Sequence, residues 1–162
     1  MDPTLEPEPG DLIEIFRGMY QHWAMYMGDG FVIHFAPDSE VQGVGNSGLK
    51  SVMHNKATVM KEKLSVVAGS DKWQVNNSLD KKYYPRPIDL ILKDARGMVG
   101  DERRYNIALM NCEHFVTDLR YGNAESRQVC QAVDAGTYLL SLLVAVIVLG
   151  ALLVKSFRDK KK

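Results

Sequence analysis

The sequence predicts an α+β domain, an antiparallel sheet packed on helices, followed by a C-terminal transmembrane helix. Two apolar runs, His22-Trp23-Ala24-Met25-Tyr26-Met27 and Phe31-Val32-Ile33-His34-Phe35-Ala36, flank Gly28-Asp29-Gly30, the pattern of an antiparallel hairpin. Later stretches repeat apolar residues at three- and four-residue spacing, as a helix with one buried face does. Residues 136–154 carry no charged side chain. As a helix they would span about 28 Å, close to the hydrocarbon thickness of a bilayer.

A chain of 162 residues, 46% of them hydrophobic, can bury one core but would be cramped as two globular domains. Only Cys112 and Cys130 are cysteines, and the opening residues are acidic and proline-rich, without the apolar stretch of a cleavable signal. A cytosol-facing domain with reduced thiols is expected. The net charge of zero conceals an asymmetry: residues 155–162 hold five basic and one acidic side chain, leaving 15 basic and 19 acidic before them. The folded part is thus mildly acidic, and no basic stripe interleaved with aromatics supports nucleic-acid binding. The expected organisation is a lead-in over residues 1–9, a folded domain over 10–135, an anchor over 136–154 and a basic tail over 155–162.

Taken in order, Gly10-Asp11-Leu12-Ile13-Glu14-Ile15-Phe16 reads as the first strand. The hairpin follows, and its loop length decides whether its two histidines meet, because a one-residue slip moves a side chain to the other face. A two-residue Asp29-Gly30 loop would pair Met25 with His34 and leave His22 on the opposite face. A three-residue Gly28-Asp29-Gly30 loop would pair Ala24 with His34 and make His22 and His34 diagonal neighbours. The three-residue loop, with Gly30 left-handed, is the one expected. Residues 37–48 read as a long loop and His54 as a surface residue, while residues 57–64 and 73–75 read as strands around a turn at 69–72. Residues 88–99 place Ile88, Ile91, Leu92, Ala95 and Met98 on one helical face, with proline just inside the start and Gly100 as the stop. Lys81, Lys82, Arg86, Arg103 and Arg104 read as solvated loop charges, and Tyr105-Asn106-Ile107-Ala108-Leu109 as a short strand or extended lead-in.

Asn111 is a favoured N-cap, and Cys112, Phe115, Val116 and Leu119 keep the spacing of one helical face up to Gly122. Cys112 would then lie in the first turn, facing inward. There the positive helix end favours thiolate, and unpaired backbone N–H groups, that of Cys112 among them, can hold an oxyanion. A buried cysteine also often only packs. His114 lies about 200° around the helix from Cys112 and is excluded as its base, which leaves His22 and His34 as candidates. Zinc is the rival use of these residues, but there is no Cys-x-x-Cys or His-x-x-x-His pair, so no metal and no cofactor is expected. Residues 125–135 read as a helical segment running into the anchor, with Cys130 an ordinary thiol rather than an acylation site. The basic end would lie in the cytosol by the positive-inside rule, whereas the missing signal favours a tail anchor with residues 1–135 cytosolic.

Gly10-Asp11-Leu12-Ile13-Glu14-Ile15-Phe16, His22-Trp23-Ala24, Gly28-Asp29-Gly30, Val32-Ile33-His34, Val75-Asn76-Asn77, Asn111-Cys112-Glu113-His114-Phe115 and Leu119-Arg120-Tyr121-Gly122 together resemble the phospholipase A and acyltransferase family, also called H-Ras-like suppressors. The resemblance covers about residues 7–130. It implies a permuted papain-like, NlpC-type fold shared with lecithin:retinol acyltransferase. It also implies Cys112 as nucleophile, His22 as general base and acid, and His34 as the residue that orients His22. The implied activity is that of a calcium-independent thiol phospholipase A acting on sn-1 or sn-2 esters of glycerophospholipids such as phosphatidylcholine and phosphatidylethanolamine. The same resemblance implies O- and N-acyl transfer through an S-acyl-cysteine, including to the amine of phosphatidylethanolamine. Two other readings stand beside it: a membrane-tethered, growth-regulating interaction protein whose effect needs no catalysis, and a peptidase or amidase, which the fold would permit.

Overall fold

The computed structural model describes residues 6–18, 20–37, 56–106 and 110–159, with side chains as far as residue 147. The expected loop at 38–48, His54, residues 107–109 and the side chains of the basic tail lie outside that set. The chain divides into two compact units, Met1–Ser126 and Arg127–Lys162.

The first unit has the expected α+β architecture. Strands β1 (Leu12–Arg17), β2 (Tyr20–Gly28), β3 (Phe31–Ala36), β4 (Lys56–Lys63), β5 (Trp73–Val75) and β6 (Glu102–Arg104) form an antiparallel sheet in the order β5-β1-β2-β3-β4-β6. Helices α1 (Leu64–Ala68), α2 (Ile88–Gly97) and α3 (Cys112–Tyr121) accompany it. The pairings Ile15↔His22, Ile13↔Ala24, Ala24↔His34 and Tyr26↔Val32 put Ile13, Ile15, His22, Ala24, Val32 and His34 on one face. There Ile13, Ile15, Ala24 and Val32 pack with Leu64, Val67 and Ala68 of α1. The intervening Leu12, Trp23, Met25, Ile33 and Phe35 meet Ile91 and Ala95 of α2 and Cys112, Phe115, Val116 and Leu119 of α3. Burial on both faces explains why β2 and β3 read as apolar runs instead of alternating patterns.

The hairpin corrects the expected loop. Gly28 pairs with Phe31, so the turn is Asp29-Gly30 alone, and both residues have positive φ, 54° and 77°, as a type I′ turn demands. The pairing Ala24↔His34 is nevertheless the one expected, because a bulge between Tyr26 and Gly28 takes up one residue. The parity that lets His22 and His34 share a face comes from the bulge at Met27, not from a longer loop.

Helix α3 is fixed at both ends. The Asn111 side-chain oxygen accepts from the His114 N–H at 3.0 Å, and His114 Nδ1 accepts from the Asn111 N–H at 3.4 Å, a capping box. Gly122 closes the helix in the left-handed region, where glycine carries no Cβ penalty. Near that end Arg120 donates from Nη1 to the Gly10 carbonyl at 2.8 Å and from Nε and Nη2 to both Asp80 carboxylate oxygens. The Gly10 N–H in turn donates to the Tyr26 carbonyl at 2.7 Å. The C-terminal end of α3 is therefore tied to the Tyr26 end of β2.

Short elements escape the sequence reading: α1, β6 and a single 3-10 turn at Ser78–Lys81 offer too few residues for periodicity to register. Pro87 occupies the N-cap position of α2, just before the helix and not inside it. Lys82 and Arg86 are paired rather than simply solvated, Lys82 with Glu125 at 2.7 Å and Arg86 with Asp94 at 2.5 Å.

The second unit is one continuous helix, α4 (Arg127–Asp159). Its stretch Arg127–Ile147 is long and apolar enough to cross a membrane, and none of it is buried in the protein. Tyr138, Leu139, Leu140, Leu143, Val146 and Ile147 are all more than half exposed. An apolar surface of that extent calls for a nonaqueous environment or a partner.

Candidate active site

His22 and His34 are buried, 1% and 4% exposed. His22 Nε2 lies 3.0 Å from His34 Nδ1, with the rings edge to face at 88°. His34 Nε2 lies 2.9 Å from Glu62 Oε2. Glu62 pairs with Val32 while Met60 pairs with His34, so Glu62 is a diagonal neighbour of His34 on the same face. Three side chains from three consecutive strands thus form one hydrogen-bonded chain.

Burial holds the His22 imidazole well below its ordinary pKa of 6.5, and the nearby His34 and Arg17 push it the same way. A neutral imidazole is therefore the resting form near pH 7, which suits a proton acceptor. The bond from His34 holds the Glu62 carboxyl below its usual range, so Glu62 is a carboxylate.

Cys112 is the first residue of α3 and is 4% exposed. Its apolar neighbours belong to the cluster that contains Trp23 and Phe35. Glu113, also buried, accepts from the Ser126 hydroxyl at 2.6 Å, and Ser126 Oγ receives the Asn111 amide at 3.3 Å. His114 serves the helix cap, and burial lowers its pKa against the opposing pull of Glu113. That is a structural use, which the sequence analysis did not foresee. Cys130 lies in the second unit and is exposed. No group of three His, Cys, Asp or Glu side chains able to hold a metal occurs among the described residues.

The described geometry unites His22, His34 and Glu62. Glu62 is the member the sequence reading missed. In Ala57-Thr58-Val59-Met60-Lys61-Glu62 it is one of several charged positions, and only the β3–β4 register singles it out. The residues joining those strands carry no hairpin signal from which that register could be deduced.

The family model described as lecithin retinol acyltransferase matches residues 5–125. The human protein named phospholipase A and acyltransferase 4 is 52% identical over 146 residues, 88% of this chain and 89% of its own. Human phospholipase A and acyltransferase 3 is 48% identical over 159 residues, 98% of each chain, and human phospholipase A and acyltransferase 2 is 48% identical over 155 residues, 96% of each. With similarity of this extent spanning both the sheet and the Cys112 helix, the chain belongs to the phospholipase A and acyltransferase family, within the lecithin retinol acyltransferase-like proteins.

Proposed function

We propose that this protein is a thiol phospholipase A and acyltransferase acting on glycerophospholipid esters at a membrane surface. Cys112 is its nucleophile, His22 its general base and acid, and His34 the residue orienting His22. The observation that carries the reading is the buried His22–His34 hydrogen bond, a pair of imidazoles held in an apolar hairpin by a bulge that exists nowhere else in the ladder between β2 and β3.

Cys112 and His22 approach from different sides of β2, since His22 points to the α1 face and the thiol packs with the α3 cluster. They have to meet beside the start of β2. The tie between Arg120, Gly10 and Tyr26 supports this. Eight residues of helix from Arg120 back to Cys112 measure about 12 Å, and four residues of strand from Tyr26 back to His22 measure about 13 Å. The matching lengths, with α3 packed along β2 and β3, favour a first turn of α3 level with His22.

In the reaction the Cys112 thiol gives its proton to His22 Nδ1 as sulfur attacks the ester carbonyl, and the oxyanion is held in part by the Cys112 backbone N–H. Collapse breaks the ester C–O bond, His22 returns the proton to the departing lysophospholipid oxygen, and an S-acyl enzyme remains. Water releases it as a fatty acid; a lysophospholipid hydroxyl or the amine of phosphatidylethanolamine carries it away as a new ester or amide. Helix α4 acts as a tail anchor that leaves the first unit in the cytosol and raises the effective concentration of bilayer lipid at the site.

The test is incubation with phosphatidylcholine vesicles containing phosphatidylethanolamine, with lysophospholipid, fatty acid and N-acyl-phosphatidylethanolamine followed by mass spectrometry. All three should form with the wild type and none with Cys112→Ala. Undiminished products from Cys112→Ala would overturn the proposal.

A further inference from the structure

Behind His34 stands a carboxylate for which the scheme above has no use. Glu62 Oε2 is 2.9 Å from His34 Nε2, and its side chain is 29% exposed, close enough to water to stay ionised and buried enough to hold one geometry. We propose that Glu62 is a positioning residue that sets the proton arrangement of the whole histidine pair, and through it the basic nitrogen of His22. The inference rests on the reading of His22 as the base for Cys112.

A carboxylate only accepts hydrogen bonds, so the proton of a neutral His34 must sit on Nε2. Its Nδ1 then carries a lone pair and accepts from His22 Nε2–H across 3.0 Å. That choice leaves the lone pair of neutral His22 on Nδ1, the atom that must take the thiol proton. Without Glu62 the other His34 tautomer becomes available. Its Nδ1–H would donate to His22 Nε2, forcing the His22 proton onto Nδ1 and closing that nitrogen to Cys112.

During attack the thiol proton moves to His22 Nδ1 and the S–C bond forms, while both ring N–H bonds directed along the chain stay where they are. No proton passes to His34 or Glu62. The negative charge at Glu62 favours the imidazolium that has formed two residues away in the chain. Among the described residues, the register puts Tyr20 and Tyr26 of β2 and Lys56 of β4 on the same face of the sheet as this array. Arg17 of β1 opposes protonation of His22, and α1, Leu64-Ser65-Val66-Val67-Ala68, contributes no titratable side chain. On β4 itself Lys61 is turned to the other face, over the Phe31 ring at 4.9 Å, and Lys63 follows at the strand end.

Full-length wild type, Glu62→Gln and Glu62→Ala, each in detergent micelles with dispersed phosphatidylcholine, provide the test, with Cys112→Ala as reference. Glutamine can still accept from His34 Nε2–H but has no charge; alanine offers neither. Loss of a hydrogen bond to a charged group predicts a fall in kcat of about tenfold for Glu62→Ala and about threefold for Glu62→Gln, with KM unchanged. In both variants the limb of the pH–rate profile that reports His22 protonation moves to lower pH, because a stabilising negative charge has gone. Imidazole 15N spectra should show a single His34 tautomer protonated at Nε2 in the wild type and a mixture in Glu62→Ala, and also in Glu62→Gln, whose amide can donate as well as accept. An unchanged tautomer and pH limb in the alanine variant, or a rise in KM with kcat intact, would overturn the proposal. Should Glu62→Ala fail to fold, the near-isosteric glutamine variant carries the test through its pH limb and kcat. The tautomer readout needs no turnover, so it is separate from the fate of Cys112; activity surviving in Cys112→Ala would instead remove the catalytic reading itself.

Discussion

His22 carries two consequences of being buried and neutral. In the proposed role of general base, its replacement by alanine should lower kcat roughly 10²–10⁴-fold, and Cys112→Ala should leave no turnover. His34→Ala should cost less than either, because water or a shifted His22 rotamer can replace part of an orienting hydrogen bond but neither can replace the base. Rates for the three variants on dispersed phospholipid decide this ranking, and equal losses would contradict it. The second consequence is in stability. Burial lowers the pKa of His22 from 6.5, so below about pH 6.5 the unfolded chain binds a proton that the native state refuses. Stability is therefore full above that window and falls as the pH drops through it, with His114 adding in the same direction. Urea midpoints at pH 7.5 and 5.5 should show the fall, and His22→Gln should reduce it. Cys112 and both histidines stood out in the sequence as candidates, since each is a chemistry-bearing side chain in an otherwise apolar run, and the hydrogen bond between His22 and His34 is what the structure adds. Glu62 did not stand out, because nothing about a glutamate among Lys56, Lys61 and Lys63 sets it apart until β4 is laid beside β3.

At the scale of elements, helix α3 was legible almost to its ends: Asn111 caps it, Gly122 stops it, and the apolar spacing between them is the buried face. Hidden was the return bond from His114, which turns a single cap into a capping box. Asn111→Ala should destabilise the protein by about 1 kcal/mol and, by loosening the first turn, raise the pH at which the thiol is alkylated. Unfolding curves and iodoacetamide rates against pH measure the two effects. The hairpin was legible in its consequence and not in its construction. Sequence parity correctly required Ala24 opposite His34, but a bulge leaves no mark in composition, and an Asp-Gly turn with a bulge reproduces the register of a three-residue loop. The positive φ at Gly30 predicts that Gly30→Val costs about 1 kcal/mol or more, since a β-branched residue there meets the steric penalty of the left-handed region. A change in unfolding free energy within about 0.3 kcal/mol of zero would count against the type I′ assignment.

Across the whole molecule, a folded unit of sheet and helices is joined to one long apolar helix, and the uncharged run at residues 136–154 announced that helix plainly. Its start was legible to within two residues: the helical segment read at residues 125–135 is the first part of α4, which begins at Arg127 and continues without a break. If α4 works as an anchor, deleting residues 136–162 should leave turnover on detergent-dispersed phospholipid within about twofold while cutting action on vesicles by at least about tenfold, the gain that tethering provides. Vesicle turnover that survives the deletion would deny the helix that role. The proposed reaction passes through one species, the acyl group carried by Cys112. Its direct measurement is intact-protein and peptide mass spectrometry of the full-length protein quenched in acid during turnover of phosphatidylcholine. One fatty-acyl thioester is expected, located on Cys112 and absent from Cys112→Ala and His22→Ala. Lysophospholipid formed with no adduct, or an adduct on Cys130 alone, would contradict it.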